Sequence, residues 1–302
     1  MPRVDLHIHS TASDGVRTPS EILDLASAEG LLMIAITDHD TLDGIREGAA
    51  AASRKGIRFV PGVELSVDLD PTPGTLSAHL LGYFPFSSPE ELTDADTPLG
   101  RAISYVQGGR QRRNPGILEM LRESGIYILM KDVRDLADGD VIGRPHIAEA
   151  MVNAGYVGST REAFNRFLGK GRPAYVERDR LPVGEALEVI RDTGGLPVMA
   201  HPGYIALESE TLEQRFRRMA DLGLAGIEVF YPTHSPEMVE LLLSFAEDMG
   251  LFVTGGTDFH GRAGEAAPLG GVPGEFTVET GMIQEFYDIC TKSRMEVANG
   301  ET

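Results

Sequence analysis

Six of the chain's eight histidines lie in or at the ends of short apolar runs, most of them close to an aspartate or glutamate. "VDLHIHSTASDG", residues 4–15, gives His7 and His9 one residue apart, then Asp14. In a strand, residues i and i+2 face the same way, so two imidazoles aim at one point, which is chelating geometry. A solvated surface pair is the other reading of an isolated pair. The later runs decide between them. "LLMIAITDHD" ends in Asp38, His39 and Asp40, and "RFVPGVE" ends in Glu64. "LSAHLLGY" carries His79, and "LPVMAHP" ends in His201. "GIEVF" holds Glu228, and "FVTGGTDFH" ends in Asp258 and His260. The ends of parallel barrel strands meet at one rim, where active sites are built. A ring of His, Asp and Glu at successive strand ends points to metal binding. Imidazole and carboxylate without cysteine suit Zn, Mn or Fe and do not choose among them. His7, His9, Asp14, His39, Glu64, His79, His201, Asp258 and His260 are more than one tetrahedral ion needs, so two or three divalent ions are expected. Three such ions outweigh the carboxylates that would hold them and leave the site attractive to a phosphate dianion.

The elements that must position these residues follow a repeating pattern. Apolar runs at roughly 4–9, 31–37, 57–64, 77–83, 196–200, 225–230 and 251–256 alternate with helical patterns. "RTPSEILDLASAEG" has Thr18 as N-cap, Pro19 at N1, Glu21 completing a capping box and Gly30 as a stop. "TLDGIREGAAAASRKG" stops at Gly56, and "PVGEALEVIRDTGG" precedes the run at 196. Residues 209–222 and 235–249 read as two more helices. This alternation predicts an α/β chain with a parallel sheet. Seven strands without an eighth fit a closed, irregular barrel; an open doubly wound sheet has the same periodicity. Between 99 and 182 the pattern turns helical, without a convincing strand, and reads as an insertion. That gives a barrel from 1–98 and 183–302, and a helical insertion over 99–182 that covers the active site. Residues 68–75 and 261–275 read as loops.

Composition narrows the function classes. Net charge is −19 over 302 residues, which argues against a sequence-blind grip on a nucleic-acid backbone. The charge is uneven. Residues 99–182 hold 14 of the 27 Lys and Arg but 10 of the 46 Asp and Glu, a local net of +4, against −23 for the remainder. The insertion could therefore face an anion. "MPRVDL" has no secretory pattern, and no window approaches eighteen apolar residues, so a cytoplasmic protein without a membrane partner is expected. The single cysteine, Cys290, falls in a terminal helical pattern and reads as core.

"DLHIHSTASDG", "AITDHDT", "PGVE", "AHP" and "TDFHG" together resemble the motifs of the polymerase and histidinol phosphatase (PHP) family. "GRPHIAEAMV" and "GIEVFYPTHSPE" resemble its small bacterial phosphoesterases that carry a helical insertion. The resemblance implies a distorted (β/α)7 barrel and a trinuclear centre. One ion would take His7, His9, Glu64 and Asp258; a second Glu64, His79 and His201; a third Asp14, His39 and His260. It implies a metal-dependent phosphoesterase in which a hydroxide between two ions attacks phosphorus, with Asp40, His201 and Asp258 at the reacting centre. Asp40 could orient His39, protonate the leaving group or cap the next helix. Arg144 and His146 are the implied phosphate ligands, and His234 is a further substrate contact or a helix cap. Glu228 would sit behind the ligands, and Lys170 and Arg172 would steer an anion or form a solvated loop. The expected substrate is a small nucleotide or sugar phosphate, such as a nucleoside 3′,5′-bisphosphate. Alternatives are a phosphoribosyl cyclic phosphate or short RNA attacked from its 5′ end. A non-enzymatic binding module is disfavoured by the full ligand set, and amide hydrolysis by Arg144.

Overall fold

The computed structural model describes residues 2–70, 76–137, 139, 141–205, 211–262 and 264–299. The strands are β1 (Arg3–Asp5), β2 (Met33–Ile36), β3 (Arg58–Asp68), β4 (Ser77–Tyr83), β5 (Leu181–Pro182), β6 (Leu196–Met199), β7 (Gly226–Phe230), β8 (Phe252–Gly255) and β9 (Val278–Glu279). Helices α1 (Pro19–Ala28) and α2 (Ile45–Lys55) cross between the first three strands. α3 (Pro89–Leu92), α4 (Pro98–Glu123), α5 (Met130–Arg134), α6 (Arg144–Asn153) and α7 (Thr160–Ala163) follow β4. α8 (Val183–Asp192), α9 (Leu212–Asp221), α10 (Pro236–Met249) and α11 (Gln284–Asn299) flank the later strands.

The sheet runs β8-β7-β6-β4-β3-β2-β1-β9, with β5 beside β3. Its ends nearly close: Leu6 N–H donates to Gly255 O at 3.2 Å, and Ile8 bridges Phe259 in parallel. This is the expected irregular barrel, and it excludes the open sheet. The segment read as strandless contains β5, which pairs in parallel with β3, and two further local expectations need correcting. First, the sheet is not all parallel, because β4 runs antiparallel to both β3 and β6. Only residues 69–76 separate β3 from β4, and a parallel return needs a crossover of about a dozen residues or more. Second, the first strand ends at Asp5. His7 and His9 follow in an extended segment, held by backbone bonds from Phe259 N–H to His7 O and from His9 N–H to Phe259 O.

Local signals account for the helices. The Thr18–Glu21 capping box forms, with Glu21 N–H on Thr18 Oγ1 at 3.2 Å and Thr18 N–H on Glu21 Oε2 at 2.8 Å. α2 stops at Gly56, whose φ of 67° suits glycine. Side chains alternate along the strands between two cores. Ile34 and Ile36 pack with residues of α1, α2, α8, α9 and α10, while Met33 and Ala35 pack with Phe286 and the buried Cys290 of α11. Ile117, Leu121, Ile147 and Met151 belong to a third cluster within the helical segment. The first half of α4 belongs instead to the barrel core, through Leu99, Ile103 and Val106. The loop expectation at 68–75 falls largely outside the described residues, as does the start of the helix expected at 209.

Candidate metal centre

The strand ends bring the nine sequence-predicted side chains together. Three groups have ligand atoms within 4.8 Å of one another: His7, His9, Glu64 and Asp258; His9, Asp14, His39 and His260; and His39, Glu64 and His79. Glu64 lies at the middle of the ring and is fully buried. Its Oε1 faces His79 Nδ1 at 2.8 Å and His201 Nε2 at 2.9 Å. Its Oε2 faces His39 Nδ1 at 2.9 Å, His9 Nε2 at 3.2 Å and His7 Nε2 at 3.3 Å. Asp258 Oδ1 is 3.1 Å from His9 Nε2, and Asp14 Oδ1 is 3.4 Å from His260 Nε2. The grouping differs from expectation in three respects: His39 joins Glu64 and His79 as well as Asp14, His9 joins Asp14, His39 and His260, and His201 meets the ring through Glu64 Oε1 without falling in any of the three groups.

Each position has a local cause. His79 is the third residue of β4, and it reaches the rim only because β4 is reversed. It lies opposite Ser66, two residues beyond Glu64, so all three share a face. Glu64 is mid-strand rather than terminal, since β3 continues to Asp68 to pair with β4. Glycine makes room for the histidines. A Cβ on Gly256 would lie 2.5 Å from His7 Cβ, and one on Gly15 would lie 2.2 Å from His9 O. Among the described residues, the non-glycine residues with positive φ are Asp40 (53°), His201 (25°) and Asp258 (56°). Backbone strain of this kind clusters at functional sites, and here it falls on the three residues expected at the reacting centre.

The electrostatics call for cations. Burial disfavours charge on Glu64, Asp14 and Asp258, but the surrounding imidazoles outweigh it and hold all three carboxyls well below their ordinary range. Burial lowers His9, yet Asp258 and Glu64 push it up to about 10. His79 goes the other way, to about 4, because burial outweighs Glu64. Several buried polar atoms have no hydrogen-bond partner among the described residues: both His9 nitrogens, His7 Nε2, Asp14 Oδ1, His39 Nδ1, His79 Nδ1 and Glu64 Oε2. Buried polar atoms are costly to leave unpaired, and these converge from one ring. The donor set therefore fits divalent cations.

A surrounding layer fixes the ring. Glu228 Oε1 is 2.9 Å from His7 Nδ1, and its Oε2 accepts the His201 N–H at 2.7 Å. Other residues support the ring in ways the sequence pattern did not assign. Tyr231 donates its hydroxyl to Asp258 Oδ2 at 2.9 Å. Asp38 accepts from Ser10 N–H, Ser10 Oγ and Ser13 Oγ, which fixes the loop leading to Asp14. Glu265 accepts the N–H groups of His260, Gly261 and Arg262. Asp5 is buried beneath His7 and takes donors from Thr257 and Gly270. Its place two residues before His7 was the available signal.

The helical segment supplies a cluster of arginines. Arg110, Arg113, Arg178 and Arg180 are buried, and Arg144 is partly buried. Burial and the neighbouring guanidiniums lower Arg113 to about 8. Arg144 donates to Leu168 O at 3.1 Å and lies against the rings of Tyr175 and Phe164. His146 Nδ1 accepts the Gly143 N–H at 3.1 Å at the start of α6. His234 has both ring nitrogens on backbone, Nδ1 with Val229 O at 2.9 Å and Nε2 accepting Gly203 N–H at 3.2 Å. It therefore ties the end of β7 to the segment that follows His201. Asp40 is ion-paired with two of these arginines. Although burial opposes its charge, Arg110 and Arg178 hold it well below the usual carboxylate range. It does not cap α2, whose N-cap is Gly44.

Known proteins place this arrangement. A family model described as the PHP domain matches residues 5–132. The 3′,5′-nucleoside bisphosphate phosphatase of Chromobacterium violaceum is 31% identical over 96% of this chain and 94% of its own length. The 5′-3′ exoribonuclease of Haemophilus influenzae is 31% identical over 85% of this chain and 90% of its own. A Bifidobacterium adolescentis protein whose crystal structure is described as that of a metal-dependent phosphoesterase superposes with a TM-score of 0.79. It is 28% identical and covers 94% of this chain, with 95% of its own chain covered in turn. With its strand-end motifs intact and such identity along nearly its whole length, the chain belongs to the PHP domain family and is a hydrolase of phosphoric ester bonds.

Proposed function

We propose that this chain hydrolyses a phosphate ester of a small nucleotide or sugar phosphate, with two or three divalent ions held by the nine-residue ring. The observation that carries this reading is Glu64, whose two oxygens face two different sets of imidazoles. One carboxylate so placed joins two ion sites. When bound, the ions would supply Lewis-acid charge to the phosphoryl oxygens and acidify an attacking water. Their identity is Mn, Fe or Zn.

The chain's own groups do the rest. Glu228 holds His7 by its Nδ1, which leaves Nε2 directed at the ring. Tyr231 occupies Asp258 Oδ2 and leaves Oδ1 toward His7 and His9. Arg144 serves the phosphate. Its guanidinium is a planar fork, partly dehydrated and, among the described residues, without a carboxylate hydrogen-bonded to it, which suits an anion. His146 supports Arg144 by fixing the first turn of α6, where Arg144 is the first residue. The helical segment 99–182 acts as an inserted cover over a barrel formed by 1–98 and 183–302, with its two ends, the start of α4 and β5, built into the barrel. Four contacts support that reading. Arg110 and Arg178 reach Asp40. Gly139 packs against the Ala12 carbonyl. Glu149 pairs with Arg262, which donates to Asp14 O.

The test is a steady-state comparison of a nucleoside 3′,5′-bisphosphate, a mononucleotide, a phosphoribosyl cyclic phosphate and a short 5′-phosphorylated RNA, each with Mn²⁺ added. The expected outcome is the highest kcat/KM on the bisphosphate or the mononucleotide. Preference for the cyclic diester or the RNA would replace this substrate class, and no turnover of any of them would overturn the reading.

A further inference from the structure

The Asp40 carboxylate stands at a junction that the ligand ring does not explain. It is fully buried, follows His39 directly, and has a φ of 53°. Its Oδ2 accepts from Arg110 Nε at 2.8 Å, Arg110 Nη2 at 2.5 Å and Arg178 Nη1 at 3.2 Å. Its Oδ1 accepts the Ser66 N–H at 2.8 Å, and Ser66 Oγ donates to Oδ2 at 3.2 Å. The backbone is engaged too: Asp40 N–H donates to Glu64 O, and Gln107 Nε2 donates to Asp40 O, both at 2.9 Å. One residue thus joins the end of β2, the part of β3 that carries Glu64, two side chains of α4, and the segment entering β5.

Arg110 gains an orientation from this. Two of its nitrogens are engaged by Asp40. The third, Nη1, lies where a Cβ on Gly143 would be 3.4 Å away, beside the residue preceding Arg144. Arg110 also lines a cleft of 620 Å³ with Gln107, Gln111 and Asn114. A left-handed backbone at a non-glycine residue is strained, and the surrounding contacts must offset that strain.

We propose that Asp40 is a positioning residue. It clamps Arg110 and Arg178 of the helical segment onto the strand ends that carry His39 and Glu64, and so keeps the guanidinium donors in register with the ring for an anionic substrate. The kinetic part of this proposal rests on the phosphoesterase reading; the clamp itself does not.

The experiment compares Asp40→Asn, Arg110→Met and the double variant as metal-loaded, full-length protein. Asn keeps an oxygen for the Ser66 N–H, removes the charge, and puts a donating NH2 where Oδ2 accepted from Arg110 and Arg178. Amide hydrogen exchange in α4 around Gln107–Arg110 should speed up roughly tenfold in each single variant, since the local closed state loses an anchor. KM for a mononucleotide should rise about 10-fold or more, with a smaller fall in kcat, because buried charge-assisted bonds set the donors' position. Metal content should stay at the wild-type value, and the double variant should match the worse single variant within about twofold, as coupled partners do. Unchanged exchange would overturn the clamp. Losses that multiply in the double variant, or that track metal loss, would show a buried charge of general structural value and overturn it as well. If Asp40→Asn does not fold, Arg110→Met breaks the same pair from the other side and is judged by the same readouts. Faster exchange in a chain that turns over no phosphate ester would support the clamp and reject only the phosphoesterase reading.

Discussion

Glu64 carries the centre at the scale of single residues. Its two oxygens face five imidazoles between them. Glu64→Gln keeps the volume and removes the charge, so it should lose more than one ion per chain by elemental analysis. His79→Ala, at the edge of one group, should lose mainly one. Equal losses in the two variants would contradict a bridging role. The residues that face the ring were legible in sequence because ligand chemistry restricts them to His, Asp and Glu at strand ends. Their supports were not. Tyr231 and Asp38 act through hydrogen bonds to groups 25 or more residues away in sequence, and no local pattern distinguishes such a tyrosine or aspartate from an ordinary one. The same is true of Asp40, which reads as a ligand's neighbour until Arg110 and Arg178 are seen on it.

At the scale of elements, helix boundaries followed from caps. Thr18→Ala should destabilise the chain by about 1 kcal/mol through the lost α1 cap, read as a lower urea midpoint with an unchanged slope. No change would mean that Glu21 and Pro19 hold that turn without the hydroxyl. The reversal of β4 was not legible: the two apolar runs lie twelve residues apart, enough for a crossover, and only the extension of β3 to Asp68 shortens the connection to eight. At the start of α6, Arg144→Ala should lower kcat/KM on phosphate monoesters by roughly 10²-fold, the scale of one charge-assisted contact to the reacting group. Metal content should not move. Normal kinetics would assign Arg144 to packing between Leu168, Phe164 and Tyr175.

Charge distribution acts at the scale of the whole molecule. The helical segment carries +4 and the remaining residues −23. A long polyanion leaving the site would cross acidic surface, whereas a small dianion would meet the ions and the arginines. A length series of 5′-phosphorylated oligonucleotides should therefore show kcat/KM falling beyond about five nucleotides, with a salt slope well short of the ~0.7 per phosphate expected for extended backbone binding. Rising rates with length and a steep slope would favour an RNA substrate. The most direct test of the account as a whole is a stoichiometric titration of metal-free protein with Mn²⁺ while phosphate release from a mononucleotide is followed. A centre joined through Glu64 predicts little release until the second ion per chain is bound, then a sharp rise. Full activity in the metal-free protein, or with one ion per chain, would contradict it.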